Sequence, residues 1–202
     1  MSALARRSLT VFAVVLACVL PLGSAQASGD PDNVATATIT QDDGQAFDFA
    51  WDVYKQKGDD PIVNRNEADA AAQCARCKAT AIAFQILLVH GSPNVIVPQN
   101  IATAVNDKCT ECAVAAEARQ FVRVSPEPLK INGDGRAILQ DVRRDLAALQ
   151  SQNLSLDELH TAVEAEEARV REVLATDLVV ASDPEQSPTF DMRRTLQDVD
   201  LG

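Results

Sequence analysis

Residues 74–90 read Cys74-Ala-Arg-Cys77-Lys-Ala-Thr-Ala-Ile-Ala-Phe-Gln-Ile-Leu-Leu-Val-His90, and the eleven from Ala79 to Val89 are apolar nearly all round. Such a stretch belongs inside a protein, because a half-exposed element shows a polar face. Its conformation decides the fold class. Ile86 to Val89 alone would suit a strand, but the Ala-rich run before them favours a helix, since alanine has the highest helix propensity. The spacing therefore predicts a central buried helix.

The stretch recurs. Setting Cys74 against Cys109 also matches Cys77 with Cys112, Ala81 with Ala116, Ala83 with Ala118, Gln85 with Gln120 and Val89 with Val124. A one-residue gap upstream matches Asn66-Glu-Ala-Asp-Ala70 with Asn100-Ile-Ala-Thr-Ala104. The 35-residue period falls within the range of helical repeats, and two copies are fewer than the three a solenoid needs. The expectation is an all-α fold in which two pseudo-symmetric Ala-rich helical units pack as a pair. Each unit opens on an Asn suited to cap a helix, and the first closes at Gly91-Ser92-Pro93. In the second unit Val114, Ala118 and Val122 form one face and Glu117, Arg119 and Arg123 another. Gln85 and Gln120, in apolar surroundings, are expected to hydrogen-bond across the pseudo-twofold.

Outward from the repeat, Phe47-Asp-Phe-Ala-Trp51-Asp-Val-Tyr54 gathers aromatics at spacings of four (Phe47 with Trp51, Ala50 with Tyr54), as a short amphipathic helix clamping an Ala-rich core would. After Ser125-Pro126-Glu127-Pro128, Ile138, Val142, Leu146 and Leu149 follow helical spacing. A capping box at Ser155-Leu-Asp-Glu158 opens a second run with Leu159, Val163, Val170 and Val173. These predict an antiparallel helical hairpin paired in coiled-coil fashion. The domain plan is residues 1–27 a signal peptide, 28–45 a flexible acidic leader, 46–125 the duplicated CxxC domain, 126–180 the hairpin and 181–202 a disordered tail.

The signal is read from Arg6 and Arg7, the apolar stretch Leu9 to Leu20, and Ala25-Gln26-Ala27 before Ser28. The apolar stretch is shorter than the roughly 20 residues of a transmembrane helix. Val15-Leu16-Ala17-Cys18 loosely resembles a lipobox, but Val19, Leu20 and Leu22 prolong the apolar stretch past Cys18, so the mature chain is expected to be secreted and soluble. Cleavage removes Arg6 and Arg7 and no acid, moving the net charge from −11 to −13. A chain that acidic is repelled by phosphate backbones and anionic membranes, which argues against nucleic acid as a partner and against stable membrane insertion.

Cleavage also removes Cys18 and leaves Cys74, Cys77, Cys109 and Cys112, an even number in an oxidising compartment. Structural disulfides are the first reading. Residues three apart on a helix can bridge locally, and four cysteines permit three connectivities. Bridges between repeats would close loops of about 35 residues and contribute ~3–4 kcal/mol. The second reading is a four-thiolate zinc site, although 31 residues separate the pairs and no Gly or Pro shapes a knuckle. The third is a thiol–disulfide redox centre, in which Arg76 or Lys78 would lower the thiol pKa of the first pair and Glu111 would raise that of the second.

Little else carries chemistry. His90 is placed at a helix C-terminus, and His160 lacks the Glu-x-x-His partner of a helical zinc protease. There is no Gly-x-Ser-x-Gly elbow. Asn132-Gly-Asp134-Gly135 reads as a tight turn into a helix, because the calcium-loop register would start on Lys130. With no catalytic constellation and no cofactor motif, the chain reads as a non-enzymatic binding or scaffolding protein for an unidentified protein or cell-envelope partner, with the acidic surface and the hairpin as its partner-facing parts.

The run Phe47-Asp-Phe-Ala-Trp51, the segment Cys74 to Gln85, and Cys109-Thr-Glu-Cys112 with the following Ala118-Arg-Gln-Phe-Val122 resemble a group of actinobacterial secreted proteins with duplicated CxxC repeats. The resemblance covers about residues 45–180. Some members are labelled peptide zinc metalloproteases. This chain has no His-Glu-x-x-His, so the resemblance implies a compartment and no activity.

Overall fold

The Ala-rich repeat is built of strands. The computed structural model describes residues 32–58, 61–181 and 197–200; the expected signal peptide, Cys18 and most of the tail lie outside them. Strands β1 (Asn33–Ile39), β3 (Ile62–Ala72) and β5 (Ile96–Asn106) form one parallel sheet, sheet A. Strands β2 (Gln45–Lys57), β4 (Lys78–His90) and β6 (Ala113–Ser125) form the parallel part of a second, sheet B. Each short strand turns a corner into a long one, so the chain winds three coils of a β-solenoid. The all-α expectation is thereby overturned, as are the paired helical units, the aromatic helix (now β2) and the placement of His90, which ends a strand.

Parity explains the misreading. Along β4, Ala79, Ala81, Ala83, Leu87 and Val89 join the packing between the two sheets. The alternate Ile82, Phe84, Ile86 and Leu88 pack on the other side, beneath the helices. A parallel strand covered on both faces shows no alternation and reads as a continuous apolar run. Periodicity cannot separate such a run from a buried helix. Alanine is used here for its size. The Asn66 side chain on sheet A donates to the backbone carbonyls of Ala83 (3.2 Å) and Arg119 (3.1 Å) on sheet B, so the sheets lie one short side chain apart.

The repeat alignment is the ladder register. Asn66 pairs with Asn100, Lys78 with Ala113 and Gln85 with Gln120. A third copy precedes them: Asn33-Val-Ala-Thr-Ala37 lies in register with Asn66-Glu-Ala-Asp-Ala70. Part of the supposed flexible leader is therefore the first coil, with Asn33, Ala35 and Ala37 buried. In-register stacking puts like on like. Asn33 donates to Asn66 Oδ1 at 2.8 Å and Asn66 to Asn100 Oδ1 at 2.9 Å, and Asn33 and Asn100 also donate across to sheet B at Phe84 and Ala118. Gln120 Nε2 donates to Gln85 Oε1 at 2.9 Å and also to Asn64. The glutamines do meet, along a parallel ladder and not across a twofold.

After β7 (Leu129–Ile131) the chain forms α1 (Gly133–Ala148) and α2 (Leu156–Thr176), closed by β8 (Leu178–Val180) antiparallel to β7. Asn132 caps α1, its Oδ1 accepting from Gly135 N–H at 2.8 Å. A Cβ on Gly135 would lie 2.6 Å from Asp177 Cβ, so glycine permits the close approach of the two helix ends. Ser155 and Glu158 form the capping box of α2. Leu139, Val142, Leu146, Leu159, Val163, Val170 and Val173 pack with Phe84, Ile86 and Phe121 of sheet B. Their apolar stripes are thus a lid on a sheet, which replaces the expected coiled-coil seam. In the tail, Gln197–Asp200 form β9, antiparallel to β6 along Phe121–Val124.

Replacing Asn66 with Ala removes the middle rung of the amide ladder and strands the groups bonded to it. Leaving a buried polar group unsatisfied costs about 1–3 kcal/mol. Urea unfolding should therefore show a loss of roughly 2–4 kcal/mol; a loss below about 0.5 kcal/mol would show that the ladder contributes little.

Candidate functional site

The corners between the sheets superpose along the solenoid. Register places Gln41, Cys74 and Cys109 at one level of the turn, and Gly44, Cys77 and Cys112 at another. Between them Asp43, Arg76 and Glu111 have φ of 56°, 52° and 59°, so each corner uses one left-handed residue at the same place. Such a φ in a non-glycine residue is uncommon and marks a tightly determined turn. The corners are laced by Asp43 N–H to Ala75 O (2.9 Å), Arg76 N–H to Thr110 O (2.8 Å) and Ala113 N–H to Cys77 O (3.0 Å). The one-residue gap of the repeat is Lys108, inserted at φ 53° between Asp107, which still pairs with Gln73, and Cys109.

This stacking brings together the four cysteines picked out by spacing. Their sulfurs all lie within 4.8 Å of one another. Cys74 and Cys77 are joined as a disulfide, with Cα atoms 6.1 Å apart, while Cys109 and Cys112 are thiols. Cys77 Sγ and Cys112 Sγ are 3.0 Å apart. Cys112 donates to Cys74 O at 3.0 Å, and Cys109 Sγ accepts from Cys74 N–H at 3.5 Å. The cluster sits at the corner end of the alanine-lined interior and packs with Ala72, Ala79 and Val114.

Electrostatics at the corner weaken the redox reading. Burial pushes the Cys109 thiol above its usual range and its bond to Cys112 adds to the rise, outweighing the backbone bond from Cys74. A raised pKa leaves less thiolate to attack. The two cations expected to assist are engaged elsewhere. Arg76 forms a two-pronged pair with Asp43, at 2.7 and 2.8 Å, and Lys78 Nζ donates to Leu154 O at 2.7 Å. The Arg76–Asp43 pair lies in water, so it orders the corner more than it stabilises it.

Of the histidines, His90 ends β4 and its carbonyl accepts from Gly58 N–H at 3.1 Å. His160 stands on α2 with Nδ1 2.9 Å from Glu117 and Nε2 3.1 Å from Glu164. Its bond to Glu117 holds its pKa above the ordinary imidazole value. These contacts, with Arg119 paired to both Glu117 and Glu167, fasten α2 to β6. The residues missed in the sequence are the ladder asparagines. Three copies of Asn-x-Ala-x-Ala, at 33, 66 and 100, would have revealed them.

No protein-family model, curated protein or solved structure matches this chain. Its chemistry is accordingly read from its own geometry.

The coil-two and coil-three corners share a backbone conformation, so Cys109–Cys112 should close as Cys74–Cys77 does. Protein folded under oxidising conditions should weigh about four hydrogens less than its fully reduced form, and peptide mapping should place both bridges within the CxxC pairs. Bridges mapped from Cys74 to Cys109 and from Cys77 to Cys112 would refute local closure.

Proposed function

We propose that this chain is an exported, non-enzymatic binding protein in which a short β-solenoid, stapled at one corner by disulfides, presents a flat face to a cell-envelope partner. The observation that carries the reading is the outward face of sheet A. Sheet B is covered on one side by sheet A and on the other by α1 and α2. The outer side of sheet A has no such layer among the described residues, and it displays Val34, Val63, Val97, Ile101 and Val105, from 38% to 61% exposed. On this face Val63 lies beside Val97, with Arg65, Glu67 and Asp69 interspersed among the apolar residues, a mixed apolar and charged surface of the kind that contacts a partner. Stacked repeats commonly bind through such an extended face.

Support for a structural use of the cysteines comes from their setting. They flank tight corners and face an alanine interior, and among the described residues the nearby cations Arg76 and Lys78 are bonded to Asp43 and Leu154 O. The export reading rests on the N-terminal pattern and on the likeness to secreted actinobacterial proteins. Both helices spend their apolar stripes on sheet B, which moves the proposed contact surface from the hairpin to sheet A.

A zinc site is the second reading, favoured by the four sulfurs lying within 4.8 Å. Zinc–sulfur bonds of about 2.3 Å set tetrahedral sulfurs roughly 3.8 Å apart, so the corner is near the required size once Cys74–Cys77 is reduced. One equivalent of zinc with four alkylatable thiols in exported protein would select it.

The binding reading is tested by photo-crosslinking in the producing cell. A photoreactive residue at Val63 should yield a discrete product, identified by mass spectrometry as something other than a second copy of this chain. The same residue at exposed Glu172 on α2 should yield none. Equal labelling from both positions, or none from Val63, would contradict the assignment.

A further inference from the structure

The two ends of sheet A are unlike. At the first coil Thr36 N–H, on the outer edge of β1, is capped by Asp48 at 2.7 Å. Asp32 and Asp42 accept from Arg65 N–H and Ala75 N–H at 2.9 and 2.8 Å, at the junction between the first and second coils. On the outer edge of the first coil it is the Asp48 carboxylate that finishes the strand. At the third coil, among the described residues, β5 is paired as a strand with β3 alone. It carries no charged residue along Ile96-Val-Pro-Gln-Asn-Ile-Ala-Thr-Ala-Val-Asn106. Exposed edges are commonly blunted by charge or proline, and this one has no charge and a single proline, Pro98.

Register fixes which backbone groups β5 presents. Ile62 N–H donates to Val95 O, and Asp107 N–H to Ala72 O, so the odd residues of β5 face β3. The even residues face outward, including the amides of Ala102 and Ala104. Pro98 is also even, and its missing N–H falls on the open edge, where proline is tolerated in a sheet. The inward-facing Ala102 and Ala104 continue the buried columns Ala35–Ala68 and Ala37–Ala70, yet they are exposed. Among the described residues, no further strand continues these alanine columns at this end.

We propose that β5 pairs antiparallel with β5 of a second copy about a twofold axis at Ile101. Outward-facing residues must meet outward-facing residues, so Asn100 lies opposite the mate's Ala102 and Pro98 opposite the mate's Ala104. That single register also places Ile101 against its own mate and Val97 against the mate's Val105 on the exposed face. All three are apolar and 38–47% exposed. Shifting the register by two residues in either direction breaks every one of those matches. A strand complementary to itself needs no other chain to satisfy it, and an isologous contact closes at two copies. In sheet B, β9 lies along Phe121–Val124 of β6 and among the described residues does not pair with β5.

Sedimentation equilibrium of the mature chain from 1 to 200 µM should show a concentration-dependent dimer. Ile101→Lys sets two like charges opposite each other and should lower the association constant at least tenfold, with unchanged circular dichroism. Thr36→Lys, at the capped end, should leave association as it was. The register is tested by Ile101→Cys, which should form an intermolecular disulfide under mild oxidation, whereas Val63→Cys, on the neighbouring strand, should not. A folded monomer at 200 µM, or a dimer untouched by Ile101→Lys, would overturn the pairing. Neither result bears on the crosslink from Val63, which tests the partner-binding face separately.

Discussion

The structure depends on an amide ladder. Three asparagines, one from each coil, are linked side chain to side chain along sheet A, Asn33 donating to Asn66 and Asn66 to Asn100, and each also donates to a backbone carbonyl of sheet B. A buried amide is costly unless it is satisfied, and an in-register stack satisfies it only when every coil supplies the same residue at the same place. The ladder therefore does two things. It fixes the coil-to-coil register, and it sets the separation of the sheets at the length of an asparagine side chain. Alanine fills the inward positions on the corner side of the ladder, and Ile62, Leu87, Val89 and Val122 fill the interior on its other side.

Other features descend from that spacing. An interior of alanines buries little apolar area per residue, and burial of area is the main favourable term in folding. The large side chains are placed instead on the far side of sheet B, where Phe84, Phe121, Trp51 and Ile86 meet α1 and α2. The hairpin is thus the second half of the core. At the corner, the same register that stacks asparagines stacks the two CxxC turns, and the four sulfurs converge without any helix or knuckle to gather them. The insertion of Lys108 shows how strongly the register is enforced. The spacing between the second and third coils is 34 residues at the asparagines and 35 at the glutamines, and the extra residue is expelled as a left-handed bulge in the turn.

Much of this was legible in the sequence, under the wrong geometry. The alignment of Cys74 with Cys109, Ala83 with Ala118 and Gln85 with Gln120 is the strand register residue for residue. What misled was composition. Alanine has high helix propensity, and a strand buried on both faces shows no period of two, so tertiary packing overrode propensity at β4. In β6 the alternation is present: Val114, Ala116, Ala118, Gln120 and Val122 face sheet A, while Glu117 and Arg119 bond to α2. The missing signal was the first Asn-x-Ala-x-Ala, at Asn33, which is set within a small, polar and acidic stretch. Three copies meet the minimum for a solenoid; two did not. The cysteines were found by spacing alone, whereas their convergence across coils needed the fold. The hairpin was legible because its caps and stripes are local, and its role was not, because its partner is a sheet.

The most direct test of the three-coil account is hydrogen exchange at Ala35, Ala37 and Ile39. Their amides point from β1 toward β3, and the account requires them to be protected nearly as well as those of β4. Exchange at the rate of an unstructured chain across residues 33–39 would mean that the first coil does not form, and the asparagine ladder would lose the rung that makes this chain a solenoid.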